Sequence, residues 1–217
     1  MGSGLGGTGG IAVAHPFGSW NLGAGLSVRH AMPFDPYENA DGSKLRYSPG
    51  DEMRARIGID HPLGTGRTSL GVTYSRFTDD KIASSIYNTG DRILTQGYIS
   101  NSMGRGDYAL SAWNLFRASG TLVDGSASGT ESITDISAAY GMAMASGRVE
   151  PAINVRSWTQ EDALTSFQST ASLRYEKAMG RLMISPAVGF TIGKVAAGPT
   201  ATSSLSGFRA QLTFRTQ

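Results

Sequence analysis

Apolar and polar residues alternate with a period of two along most of this chain. From Trp20, every second residue is apolar or His (Trp20, Leu22, Ala24, Leu26, Val28, His30), and Asn21, Gly23, Gly25, Ser27 and Arg29 lie between them. A strand points successive side chains to opposite faces, so this segment has one greasy face and one face of polar and small residues. The pattern returns over 53–60, 69–75, 135–144, 149–156, 167–176, 182–192 and 205–214. Segments 91–103 and 107–119 have strand composition but blurred alternation, and 10–15 is short, so their faces stay unassigned. No segment has the 3.6-residue period of an amphipathic helix. The reading is eleven strands.

The connections fall into two sets. Short turns carry Gly66-Arg67, Gly104-Arg105, Gly147-Arg148 and Gly180-Arg181, and two share a string, His15-Pro16-Phe17-Gly18 and His61-Pro62-Leu63-Gly64. Gly supplies the positive φ of a tight hairpin, and Pro fits where a ladder ends. Between them lie longer polar stretches at 34–50, 80–90, 120–130, 159–165 and 194–203. A soluble sandwich has no reason to sort its connections this way. A membrane barrel does, with tight periplasmic turns at one end and extracellular loops at the other.

Closed bacterial barrels have even strand numbers. The expected architecture is therefore all-β, an antiparallel up-and-down transmembrane β-barrel of about 12 strands over 10–217, or of about ten if 10–15 stays outside it. Residues 1–9 read as a Gly-rich linker or a truncated start, because they lack the basic-then-apolar order of a signal peptide. Strands of roughly 9–11 residues suit a tilted membrane crossing, and Trp20, Tyr74, Tyr140, Tyr175 and Phe214 suit aromatic girdles.

Composition sharpens the choice between water and membrane. A soluble barrel shows its polar face to bulk water and favours Lys and Glu there. Here that face is mostly Gly, Ser, Ala and Thr, and only four Lys occur (Lys44, Lys81, Lys177, Lys194), all in loops or near strand ends. A formal charge of +2 without a basic cluster argues against nucleic acid as a partner. The absence of Cys removes disulfides, thiolate metal sites and a Cys nucleophile.

The closing segment Leu205-Ser-Gly-Phe-Arg-Ala-Gln-Leu-Thr-Phe214 resembles the terminal strand of Gram-negative outer-membrane barrel proteins, in which alternate apolar residues run to an aromatic. Arg215, Thr216 and Gln217 follow that aromatic here, a departure from the pattern. The resemblance implies residence in the bacterial outer membrane, contact with outer-membrane lipid and lipopolysaccharide, and delivery by the barrel assembly machinery. In size, strand number and Arg content the chain also resembles twelve-stranded porins for acidic sugars.

The residues expected to line the interior are Arg29, Arg54, Arg56, Asp60, Asp135, Glu150, Arg156, Arg174, Glu176 and Arg209. They read either as an ion-pair network that plugs a narrow barrel or as a pore whose fixed positive field concentrates anions. The functional expectation is a porin-like channel for passive passage of small, anionic solutes. The alternative is a plugged structural or translocator barrel, serving as an adhesin anchor or autotransporter-like. No enzyme, cofactor or metal site is expected. His30 and Ser27 fall on opposite faces, unsuited to lipid hydrolysis, and no two His share a ligand spacing. Asp79, Asp80 and Asp91, and Asp35, Glu38 and Asp41, read as solvated loop acids.

Overall fold

Two residues reverse the chain wherever a glycine can take a left-handed conformation. Gly18, Gly64, Gly104 and Gly180 have φ between 58° and 64° and each opens a two-residue turn. Positive φ at the first central position matches the right-handed twist of the flanking strands, so each glycine closes a hairpin without splaying it. The structure is a computed structural model that describes residues 5–38, 42, 44–161, 165–197 and 200–216, with 37 and 38 by backbone alone.

The strands, in chain order, are β1 (Gly6–Phe17), β2 (Trp20–Ala31), β3 (Phe34–Glu38), β4 (Lys44–Ser48), β5 (Glu52–Leu63), β6 (Gly66–Phe77), β7 (Asp80–Ile82), β8 (Ser85–Tyr87), β9 (Arg92–Met103), β10 (Gly106–Arg117), β11 (Glu131–Met144), β12 (Gly147–Gln160), β13 (Ser166–Met179), β14 (Leu182–Ala196) and β15 (Thr202–Thr216). Eleven of them form one up-and-down sheet in the order β1-β2-β5-β6-β9-β10-β11-β12-β13-β14-β15, and no helix is present among the described residues. The order begins at β1 and ends at β15, each paired with one neighbour.

The eleven predicted strands are thus present, and they are longer than expected, at 12 to 15 residues. The extra length has a local cause. β1 already starts at Gly6, where Met32 N–H donates to the Leu5 carbonyl at 2.7 Å, so Gly6–Gly9 are ladder rather than linker. Gly66-Arg67 and Gly147-Arg148, taken as turns, open β6 and β12 instead. The loops at 34–50 and 80–90 are not merely polar connections. They carry β3, β4, β7 and β8, a separate four-stranded sheet held by Tyr47 opposite Phe34 and Ile82, with the Phe34 and Tyr47 rings edge-to-face at 5.3 Å.

The chain divides into two compact units. One comprises Met1–Ile59, Gly71–Thr95 and Leu115–Ser132, the other Asp60–Leu70, Gln96–Asn114 and Ile133–Gln217. Among the described residues no apolar side chain is buried, and the buried polar side chains are Glu52, Ser75, Asp135 and Ser185. Large apolar side chains are exposed instead. In the first unit these include Ile11, Leu26 and Ile57, and in the second Leu70, Phe190 and Phe208. Register keeps them on one face: Phe190 opposes Phe208 and Val188 opposes Ala210, while Gly189 opposes Arg209 and Ser185 opposes Thr213 on the other.

The blurred strands β9 and β10 resolve once their contacts are known. Tyr98 lies under the Arg67 guanidinium at 5.6 Å and Trp113 under Arg156 at 5.8 Å, so both rings stand among charged groups. Large aromatics on the charged face broke the alternation.

Candidate functional site

The charged face of the second unit is knitted together by ion pairs. Glu150 and Arg174 are direct cross-strand partners on β12 and β13, and their side chains meet at 2.6 Å. Arg148 opposes Glu176 in register, yet its guanidinium turns the other way. It crosses β11 and grips Asp107 on β10 through two bonds of 2.7 and 2.6 Å. Gly141 makes that crossing feasible, because a Cβ there would coincide with the Arg148 guanidinium. Arg148 also lies 3.6 Å from Glu150, and Arg174 lies 3.6 Å from Glu176. Asp107, Arg148, Glu150, Arg174 and Glu176 therefore form one alternating ladder of charge.

A second cluster centres on Asp135, 5% exposed. It accepts Arg156 Nε at 2.8 Å and Asn154 Nδ2 at 2.7 Å. A carboxylate this buried is tolerable only because its lone pairs are met by charged and polar donors. Arg209 on β15 donates to Gln211 at 2.8 Å, within its own strand.

In the first unit the pairing is sparser. Arg54 reaches Glu52 two residues away on the same strand at 2.6 Å, and Ser75 on β6 also hydrogen-bonds Glu52. Arg29 acts on Glu52 through its charge, and no ion pair is shown for Arg29 or Arg56 among the described residues. At the loop end, Arg117 pairs with Glu131 at 2.9 Å and holds Ser128 at 3.2 Å.

Of the ten predicted residues, Arg54, Asp135, Glu150, Arg156, Arg174 and Glu176 are brought into ion pairs. Asp60 also has an interaction partner. Arg29, Arg56 and Arg209 lie outside these pairs. The sequence reading missed Glu52, Asp107, Arg117, Glu131 and Arg148. Arg148 looked like a turn residue and Asp107 sat at the start of a blurred strand. Carrying the parity of Glu150 back by two residues would have placed Arg148 on the same face.

His30 contacts Asp51, with Nδ1 to Oδ1 at 2.6 Å, and register puts Ser27 on the opposite face from His30. Among the described residues no three His, Asp or Glu side chains converge as metal ligands, and Asp41 lies outside those residues. The chain matches no known family, characterised protein or solved structure.

Proposed function

We propose that the chain is a transmembrane β-barrel of a bacterial outer membrane, with the charged face turned inward, and that it passes small solutes passively with a preference for anions. The observation that carries this reading is the inverted polarity of the sheet. In water, an exposed apolar face and a buried Glu52 and Asp135 reverse the normal preference of each residue type. In a bilayer both become favourable, since apolar side chains meet lipid and the ladders satisfy the backbone groups of the strands between β1 and β15, whose outer edges a closed barrel would pair as well.

The dimensions agree. A strand of 12 residues at about 3.3 Å per residue spans roughly 40 Å, which a tilt near 45° reduces to about the thickness of the hydrocarbon core. Eleven consecutive antiparallel strands leave β1 and β15 with the same direction. Closure in an all-antiparallel barrel then calls for one further strand, about 12 in all.

Anion preference is assigned to Arg29 and Arg56, the two predicted interior arginines of the first unit that have no ion pair among the described residues. A cation already matched to a carboxylate contributes little field along a path, whereas an unmatched one attracts anions. Planar-bilayer recording under a salt gradient tests this. The wild-type reversal potential should favour anions, and Arg29→Ser with Arg56→Ser should move it toward zero. A closed, structural barrel is the second reading, favoured by the continuous Asp107–Glu176 ladder. Absence of stepwise conductance from well-folded protein would select it.

A further inference from the structure

On the apolar face of the first unit lies a groove of about 530 Å³, lined chiefly by Ile11, Leu26, Val28, Met53 and Tyr74. Its floor is set by β1. Gly9 stands opposite Val28 and Gly7 opposite His30, and at both glycines a Cβ would meet nothing within 4 Å. Side chains are therefore absent where the face would otherwise be filled, and the neighbouring strands supply apolar walls.

One residue of the lining contradicts the face it stands on. Arg76 is two residues beyond Tyr74 on β6 and so shares the apolar face. The other polar groups at this end are committed: His30 to Asp51, and the Tyr74 hydroxyl to Asp91. Among the described residues no acid is paired with Arg76. An exposed guanidinium at the rim of an apolar trough calls for an anion carried on a greasy body.

The four-stranded loop sheet, which grows from the same strand ends, repeats the signal. Lys81 faces Ser48 in register, and Arg46, two residues before Ser48, shares that face. Lys81 and Arg46 are both exposed, whereas Tyr47, Ile82 and Tyr87 on the opposite face are half-buried. The cations of this sheet point away from its packed side.

We infer that this groove binds a phosphorylated, multiply acylated glycolipid of the lipid A class, with an acyl chain over Gly9 between Ile11 and Met53 and a phosphate on Arg76. Arg46 and Lys81 then meet further anionic groups of the sugar portion. The inference rests on the membrane-barrel reading and identifies the lipid that this face holds.

Native mass spectrometry of the protein released from neutral-detergent micelles tests it, with bis-phosphorylated lipid A as the probe and phosphatidylcholine as the control. Wild type should retain lipid A and not phosphatidylcholine. Arg76→Gln should weaken retention about tenfold, the value of one charge-assisted contact, and Arg76→Lys should restore most of it. Gly9→Leu fills the trough where there is open space for a side chain, so it should fold normally and lose lipid A by tenfold or more. Equal retention of lipid A by wild type, Arg76→Gln and Gly9→Leu would overturn the inference, as would equal retention of phosphatidylcholine. Insertion of the same preparations into phospholipid vesicles is scored separately. Variants that insert normally and still hold lipid A sink the groove and leave the barrel standing, whereas a wild type that cannot insert sinks the barrel.

Discussion

The two units carry similar charges on the same kind of face and use them differently. In the second, Arg148, Arg156 and Arg174 each meet an acid on another strand (Asp107 on β10, Asp135 on β11 and Glu150 on β12), and Arg174 also lies near Glu176 of its own strand. In the first, Arg54 folds back on Glu52 of its own strand, and Arg29 and Arg56 have no ion pair among the described residues. Cross-strand pairs fix register and resist separation of neighbouring strands, whereas a pair within one strand does neither. In the second unit most of the charge ties neighbouring strands together, whereas in the first the cross-strand tie is Arg117 to Glu131 at the loop end, and Arg29 and Arg56 stay outside the ion pairs among the described residues.

The largest expected effect comes from Asp135. Replacing it with Ala strands Arg156 and Asn154 without their acceptor, and unfolding by urea in a membrane mimic should show a loss of about 3 kcal/mol. Glu52→Ala in the first unit should cost about 1 kcal/mol, since Arg54 is already half-exposed and can turn to water. Equal losses at the two positions would erase the distinction between the units.

Gly141→Ala is next. The new methyl group displaces the Arg148 guanidinium and should remove about 1 kcal/mol. The diagnostic result is a double-mutant cycle, because the penalty should shrink once Asp107→Asn has already weakened the ladder. An unchanged penalty would mean that Gly141 matters for some reason other than this crossing.

The smallest effect lies in the loop sheet. Burial, a hydrogen bond with Tyr47 and the nearby charge of Asp80 raise the Tyr87 phenol above the usual tyrosine range. The folded sheet favours the neutral phenol, so this stabilisation is whole below about pH 10 and is lost as pH rises toward the folded value. In an absorbance titration of phenolate, Tyr87→Phe should remove one phenol that ionises above the usual tyrosine range.

Much of the sheet was legible because period two survives wherever one face is consistently greasy. Trp20–His30 and 205–214 gave their faces directly, and the structure keeps them. It failed at Tyr98 and Trp113, where a cation over an aromatic ring is as acceptable as an apolar neighbour. The charged face was readable as a set of residue types but not as a set of partners. Nothing local in the sequence says that Arg148 will pass over Gly141 to Asp107, since that choice depends on a third strand. The loop sheet was hidden for a related reason: β7 and β8 are three residues each, too short for a period to register. Arg76 was overlooked because it follows a clean alternating run and looks like the polar end of a strand.

The central claim is that the exposed apolar face contacts lipid and the charged face does not. Two single-tryptophan proteins in vesicles of acyl-brominated phospholipid test it directly: one keeps Trp113 on the charged face, the other carries Leu70→Trp on the apolar face with the native tryptophans replaced by Phe. Bromine should quench the tryptophan at 70 strongly and leave Trp113 bright. Equal quenching at both positions, or protein that does not float with the vesicles, would contradict the account.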